Sequence, residues 1–360
     1  MRSGLLVNLD RLAEADHVVA EGRLLAKRLG DRQALALLDL ARASVCFEAG
    51  DWPAADDELR SGLSAAHELG AGWLLGAHTL QALLAVHRGD SATARQALAR
   101  SGQARRAGGA APFTGGLAAL ATSRLHEASG QTGAAYSVLA EAWDDATARR
   151  SAAELPAVAV DLVRLSMASG DQPLARQVTD AAAALATANP KVATLKAAEL
   201  LCRGLKDGDV DALLAAVEAQ RAGPRPFQLA HACGEAAAAL ASAGRTERAL
   251  ALFDEASALL TQLGARHELR RIVTATRAAG LRPGRRAGHR PQRGVAALTP
   301  AERAVAELVA EGLINAEIAQ KLYVSINTVR THVSRALKKL ECRTRAQLAV
   351  AIVNHQVPSR

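Results

Sequence analysis

The sequence predicts an all-α protein: a helical-hairpin solenoid followed by a small four-helix domain. Three observations carry this. Ala and Leu fill a 360-residue chain that holds only three Trp, two Tyr and four Phe, and both are strong helix formers. No run of alternating β-branched residues marks a strand. Short turn signals recur along the first three-quarters of the chain, and a dense motif of capped helices occupies its end.

The turn signals are "EAGDW" at Gly50, "HRGDS" at Gly89, "EASGQ" at Gly130, "MASGD" at Gly170, "KDGDV" at Gly208 and "SAGRT" at Gly244, at intervals of 39, 41, 40, 38 and 36 residues. Five positions after each Gly stand Ala55, Ala94, Ala135, Ala175, Leu213 and Ala249; nine after stand Leu59, Leu98, Leu139, Thr179, Val217 and Phe253; twelve after stand Gly62, Ser101, Ala142, Ala182, Gln220 and Ala256. A glycine that supplies a left-handed turn, then a small residue, a large apolar one and another small one, is the pattern of two closely packed antiparallel helices. The unit at Gly208 departs at both small positions. The series resembles the tetratricopeptide repeat with each unit lengthened from about 34 residues, though the first-helix Trp/Tyr of that consensus is not evident. A generic Ala-rich helical bundle is the alternative, against which six phased turns argue. Stacked hairpins would present a concave face of the kind used to bind a peptide, a partner helix or a subunit, and a protein or small-molecule effector is expected there.

No catalytic constellation stands out in residues 1–279. His67, His78, His87, His126 and His231 are scattered and read as helix-surface or hydrogen-bonded core residues. The adjacent carboxylates Asp56–Asp57 and Asp144–Asp145 do not share a helix face. No G-x-x-x-x-G-K-[ST] phosphate loop occurs, so no enzyme, cofactor or metal is expected. Cys46, Cys202, Cys233 and Cys342 are far apart, against a disulfide framework or a zinc cluster and in keeping with a reducing cytosol. The most apolar window, residues 71–86, is interrupted by His78, Thr79 and Gln81 and is too polar to span a membrane.

Charge divides the chain. Residues 298–360 hold nine Lys/Arg and five Glu, and residues 280–297 hold five Arg and no acid; with a total of +8, the first 279 residues carry −1. A basic end on a neutral body points to a polyanion. The tract 280–297, with four Gly and two Pro among its arginines, reads as a connector, either a simple tether or an arm that also touches DNA.

The last unit opens with a capping box of Thr299, Pro300 and Glu302, and Gly312 ends the first helix. Asn315 is expected to cap a second helix holding Ile318, Ala319 and Leu322, and Ser325 a third reaching about Leu340. Thr344 with Gln347 opens the last helix, through Ile352. On the third helix Val329, Val333, Ala336, Leu337 and Leu340 share one face, while Asn327, Thr331, Ser334 and Lys338 point away, flanked by Arg330 and Arg335. No acidic residue occurs from Lys321 to Leu340. An apolar back with an Asn/Thr/Ser/Arg/Lys front suits a major groove.

Residues 298–350 resemble the LuxR-type (NarL/FixJ) DNA-binding domain. Its running pattern is met by Leu298, Thr299, Glu302, Gly312, Asn315, Glu317, Ile318, Ala319, Leu322, Val324, Ser325, Thr328, Val329, Arg330, His332, Val333, Lys339, Leu340, Cys342 and Arg345. Ala301, Ile314, Ala316 and Glu341 depart from it, and the absence of a Lys at 316 removes one expected phosphate contact. The resemblance implies base reading by Arg330, Thr331, Ser334 and Asn327, and phosphate contacts from Ser325, Thr328, Lys338, Arg335 and Arg345. It also implies a homodimer contact through Ala349, Val350, Ile352 and Val353, for which ordinary core is the equal alternative. Hairpin repeats ahead of such a domain look like the C-terminal half of the large ATP-binding LuxR regulators without the nucleotide-binding module. The expected protein is a cytoplasmic, nucleoid-associated bacterial transcriptional regulator that binds double-stranded DNA, with RNA polymerase a further expected partner. A scaffold whose helix-turn-helix makes mainly protein contacts is the other class.

Overall fold

The computed structural model describes residues 2–64, 71–108, 114–149, 151, 155–281, 298, 300–322, 326–340, 342 and 344–356. Among them every regular element is a helix. The chain divides into two compact units, Met1–Pro283 and Gly284–Arg360.

The first unit contains α1 (Arg2–Asn8), α2 (Leu12–Leu29), α3 (Arg32–Glu48), α4 (Trp52–Ser64), α5 (Ala71–Arg88), α6 (Ser91–Arg106), α7 (Thr114–Ala128), α8 (Thr132–Ala148), α9 (Leu155–Ser169), α10 (Gln172–Ala188), α11 (Ala193–Asp207), α12 (Val210–Arg221), α13 (Pro226–Ser242), α14 (Thr246–Leu263) and α15 (Arg266–Ala278). The six expected turn glycines sit between α3 and α4, α5 and α6, α7 and α8, α9 and α10, α11 and α12, and α13 and α14, all at φ between 68° and 82°. Four of them precede an aspartate that caps the next helix. Asp51, Asp90, Asp171 and Asp209 accept from the backbone N–H of Ala54, Thr93, Leu174 and Ala212 at 3.0–3.1 Å. The Gly-Asp pair therefore ends one helix and starts the next within three residues.

The seam residues are buried as the spacing requires. Ala55, Ala94, Ala135, Ala175, Leu213 and Ala249 are fully covered, and Leu59, Leu139, Val217 and Phe253 fill the space between paired helices. A seventh turn lies 40 residues before Gly50, at Asp10, the one non-glycine residue at positive φ (59°) among those described. Ala15 and Val19, five and nine positions on, are fully buried. The spacing of glycines does not reveal this repeat because aspartate takes the turn position.

The series of hairpins closes on itself. One hydrophobic core joins Ala36, Leu40, Trp52, Leu80 and Leu84 from the early helices to Leu200, Phe227, Leu240, Phe253 and Ile272 from the late ones. Asp10 accepts from the Thr194 backbone at 2.8 Å and from its hydroxyl at 2.7 Å, and receives Arg225 Nε at 2.7 Å. The same guanidinium also reaches Glu48 and the Val7 carbonyl. Hence the concave face expected of an open array is filled by its own side chains.

At the centre these side chains are aromatic and charged. The rings of Trp52 and His87 lie 5.2 Å apart, and those of His87 and Phe227 4.3 Å apart. Arg124 lies 5.4 Å over the Phe227 ring and donates to Asp161 at 3.0 Å. Arg164 bridges Asp161 and Glu127, each at 2.8 Å, and Arg271 joins Glu235 and Glu268 at 2.6 and 2.7 Å. His87 and His231, expected at a surface or in a hydrogen-bonded core, belong to this buried cluster; His67 lies outside the described residues.

Burial works against ionisation of Glu235, but Arg271 and His231 outweigh it and bring the carboxyl down to about 2. Asp161 and Glu268 are likewise held low, against burial, by Arg124, Arg164 and Arg271. Burial, reinforced by Arg124, lowers His87 and His267 and keeps both neutral.

Two measurements test this arrangement. At Gly130 an added Cβ meets nothing within 4 Å, whereas at Gly50 it would stand 2.5 Å from Pro226 Cγ and 2.9 Å from Leu263 Cδ2. Gly130→Ala is expected to cost only the left-handed strain, about 1–2 kcal/mol, and Gly50→Ala about 2–4 kcal/mol because of the added overlap. Equal losses in denaturant unfolding would mean the two ends of the array do not meet at Gly50.

The second measurement is melting temperature against pH. For the depressed histidines the unfolded chain binds more protons below about pH 6.5, so stability falls as pH drops from 7 to 5. The depressed carboxylates add a second loss below about pH 4.5. His267→Gln should flatten the upper limb and leave the lower one; an unaltered upper limb would remove His267, which faces Arg124, Glu268, Glu127 and Arg271, from the explanation.

Candidate nucleic-acid interface

The second unit contains α16 (Pro300–Ala310), α17 (Asn315–Lys321), α18 (Ile326–Lys339) and α19 (Arg345–Gln356). Its core gathers Leu298, Val305, Leu308, Val309, Ile318, Ala319, Val329, Val333, Ala336, Leu348 and Ile352. The apolar side of α18 is thereby spent inside the domain. Arg330, Ser334 and Lys338, at four-residue intervals, remain exposed on the opposite side.

No carboxylate is described on that exposed stripe. Glu302 is buried and accepts from Lys339 Nζ at 2.5 Å, tying α16 to the end of α18. Glu311 pairs with Lys321 at 3.2 Å, and Glu317 accepts from the Ile314 backbone at 2.8 Å. These three acids are engaged within the unit, and the described front of α18 is left cationic and hydroxylic. Of the expected contact residues, Ser325 lies outside the described residues, as do the side chains of Asn327, Thr328, Thr331, Arg335 and Val353. The backbone of α18 carries positions 327, 328, 331 and 335.

Three local expectations change. Asn315 does not cap α17: Ile314 holds the cap position and the Glu317 side chain closes it, while Asn315 is the first helical residue. Arg345 does not stand free for a phosphate. Its Nη1 donates to Asn315 Oδ1 at 2.9 Å and its Nη2 to the Leu313 carbonyl, so it pins the turn before α17 to the start of α19. Both residues belong to the motif, but the 30-residue separation conceals their partnership. Ile352, one of the four candidate dimer residues, is only 2% exposed and belongs to the core; Ala349 is half-buried, and Val350 at 57% is the one described as outward. The capping box at Thr344 forms as expected, Gln347 N donating to Thr344 Oγ1 at 3.2 Å and Thr344 N to Gln347 Oε1 at 3.3 Å. The box at Thr299 lies outside the described residues.

A supporting helix followed closely by a second helix with an apolar back and a cationic front is the arrangement of a helix-turn-helix domain. Residues 296–352 match the luxR family of bacterial regulatory proteins. The chain is 45% identical over 76 residues to a Mycobacterium tuberculosis protein named as an HTH-type transcriptional regulator, covering 21% of this chain and 9% of that one. It is 36% identical over 89 residues to the nitrate/nitrite response regulator NarL of Escherichia coli, covering 25% of this chain and 40% of NarL. With the transcriptional regulatory protein LiaR of Bacillus subtilis the identity is 44% over 61 residues, 17% of this chain and 29% of LiaR. The matched segment thus spans about a tenth of the mycobacterial protein and well under half of the others. The C-terminal unit is a LuxR-type helix-turn-helix domain. Among the described residues of the whole chain, no helix is long and apolar enough to cross a membrane.

The reassignment of Arg345 has a direct check. Arg345→Ala leaves Asn315 and the Leu313 carbonyl without their donor and should lower stability by about 1–3 kcal/mol. A phosphate contact would instead show as weaker DNA binding at unchanged melting temperature.

Proposed function

We propose that the chain is a sequence-specific DNA-binding transcriptional regulator in which α18 lies in the major groove. The observation that carries this reading is the exposed Arg330–Ser334–Lys338 stripe, free of acid and backed by buried Val329, Val333 and Ala336. Arginine suits guanine O6/N7 in bidentate fashion, and Ser334, with Asn327 and Thr331, supplies the shorter donors and acceptors that read other base edges. Lys338, with Ser325, Thr328 and Arg335, holds the phosphate backbone and sets the register. Two copies joined through the outward side of α19 at Val350 would read an inverted repeat.

The hairpin unit, a relative of the tetratricopeptide repeat in this reading, is the control element. It receives a protein or small-molecule effector, and RNA polymerase is the onward partner. Because its centre is filled, the effector meets its outer surfaces. No catalytic step is assigned to either unit.

Arg330→Ala should lower discrimination at one base position by about 1–3 kcal/mol while leaving the fold intact. Selection of bound sequences from a random duplex pool by wild type and variant reads this directly. An unaltered preference would displace Arg330 from the groove; absence of duplex binding at low salt would leave a scaffold role instead.

A further inference from the structure

A second cationic surface lies in the hairpin unit, on the outer face of α6. This helix carries Arg95, Arg100, Arg105 and Arg106, all exposed, above a buried side of Ala94, Ala97, Ser101 and Ala104. From residue 91 to residue 126 the sequence has no acidic residue. Some surface arginines elsewhere in the unit sit beside carboxylates, as Arg60 does with Asp57 and Arg221 with Glu218 and Glu255. No such pair is described for the four arginines of α6. Asp145 is held below its usual range first by its hydrogen bond from Arg149, and Arg105 adds only at a distance.

On the helix wheel Arg95 and Arg106 fall within about 20° of each other, with the small Ala99 and Gly102 between them along the axis, and Arg100 and Arg105 stand on the two flanks. Their guanidinium groups are therefore the most protruding features of the face. The surface continues onto α15. Gly89, in the turn before α6, lies so close to that helix that an added Cβ would stand 2.6 Å from Arg270 Nη2 and 3.9 Å from Arg266 Cβ. Arg266 and Arg270 are both exposed. The carboxylate in this turn, Asp90, is occupied as the cap of α6, accepting from Thr93 N at 3.0 Å.

We infer that this face binds the phosphate backbone of double-stranded DNA. A protein partner would call for apolar or aromatic anchors at the centre of its footprint, and between its arginines the exposed side of α6 offers only Ala99, Gln96 and Gln103. Phosphate binding needs no more than a group of unpaired cations, and along α6 Arg95 and Arg106 stand about 16 Å apart on one line, with Arg100 and Arg105 on its two flanks. The inference rests on the DNA-binding reading, which brings this chain to such a polyanion. Its sequence-independent contacts would add affinity and leave the choice of operator to α18.

The test is a salt titration of the intact chain on a duplex of about 60 base pairs of random sequence, followed by fluorescence anisotropy from about 50 to 300 mM salt. Each lost phosphate contact removes roughly 0.9 from the slope of log affinity against log salt. R95Q/R100Q/R105Q/R106Q should therefore flatten the slope by about 2–4, and the matching four Arg→Lys changes should restore it. Gln and Lys are both good helix formers, and circular dichroism checks the fold. If the fourfold Gln variant unfolds, R95Q/R106Q serves, with about half the change expected. A Gln variant with the wild-type slope overturns the inference and leaves the DNA-binding reading standing; a wild-type chain that binds no duplex at low salt removes both.

Discussion

Two helices joined by three residues can lie side by side only if the chain reverses inside those residues and the facing side chains leave room. Everything in the hairpin unit depends on that constraint. The left-handed turn residue supplies the reversal, the aspartate that follows it in four of the turns restarts the helix, and alanine at the first contact, in every hairpin but the one at Gly208, lets the backbones approach. Once the approach is set, residues such as Leu59, Leu139 and Phe253 fill the seams, which is how a chain with so few aromatics builds its cores. The spacing near 40 residues keeps the hairpins in phase, and the array meets itself where Arg225 and Asp10 join.

The closure brings charges inside. Burying an ion pair costs several kcal/mol per ion in desolvation, and the attraction recovers this only when geometry and hydrogen bonding are good. Arg164 and Arg271 each reach two carboxylates, and Arg124 serves both Asp161 and the Phe227 ring. The cluster is thus better understood as fixing how the hairpins meet than as a source of net stability, since apolar replacement of a buried ion pair at equal volume is often neutral or stabilising. Directional pairs accept one arrangement of the contributing helices, whereas alanine seams alone tolerate sliding.

In the DNA-binding unit the same economy of partners serves recognition. Glu302 is engaged by Lys339, Glu311 by Lys321, and Glu317 by the backbone at the start of α17. Arg345 joins the turn before α17 to α19, and the supporting helix is thereby held at a defined angle to α18. The arginine and lysine left over then share one side of α18, where no described carboxylate competes with a phosphate or a base edge for them.

The sequence by itself determined the helical class, the phase of the turns, the helices of the last unit and the stripe of α18, because each follows from contacts within a few residues: propensity, capping and side-chain period. The turn at Asp10 escaped it, since glycine marks the left-handed position and aspartate seldom does. The closure of the array, the burial of His87 and Arg124, the bond of Arg345 to Asn315 and the core placement of Ile352 were decided only by the tertiary structure. These contacts join residues from 30 to more than 200 positions apart. An arginine reads alike in sequence whether it meets a carboxylate, a carbonyl or solvent; which of these it meets depends on what the folded chain places beside it.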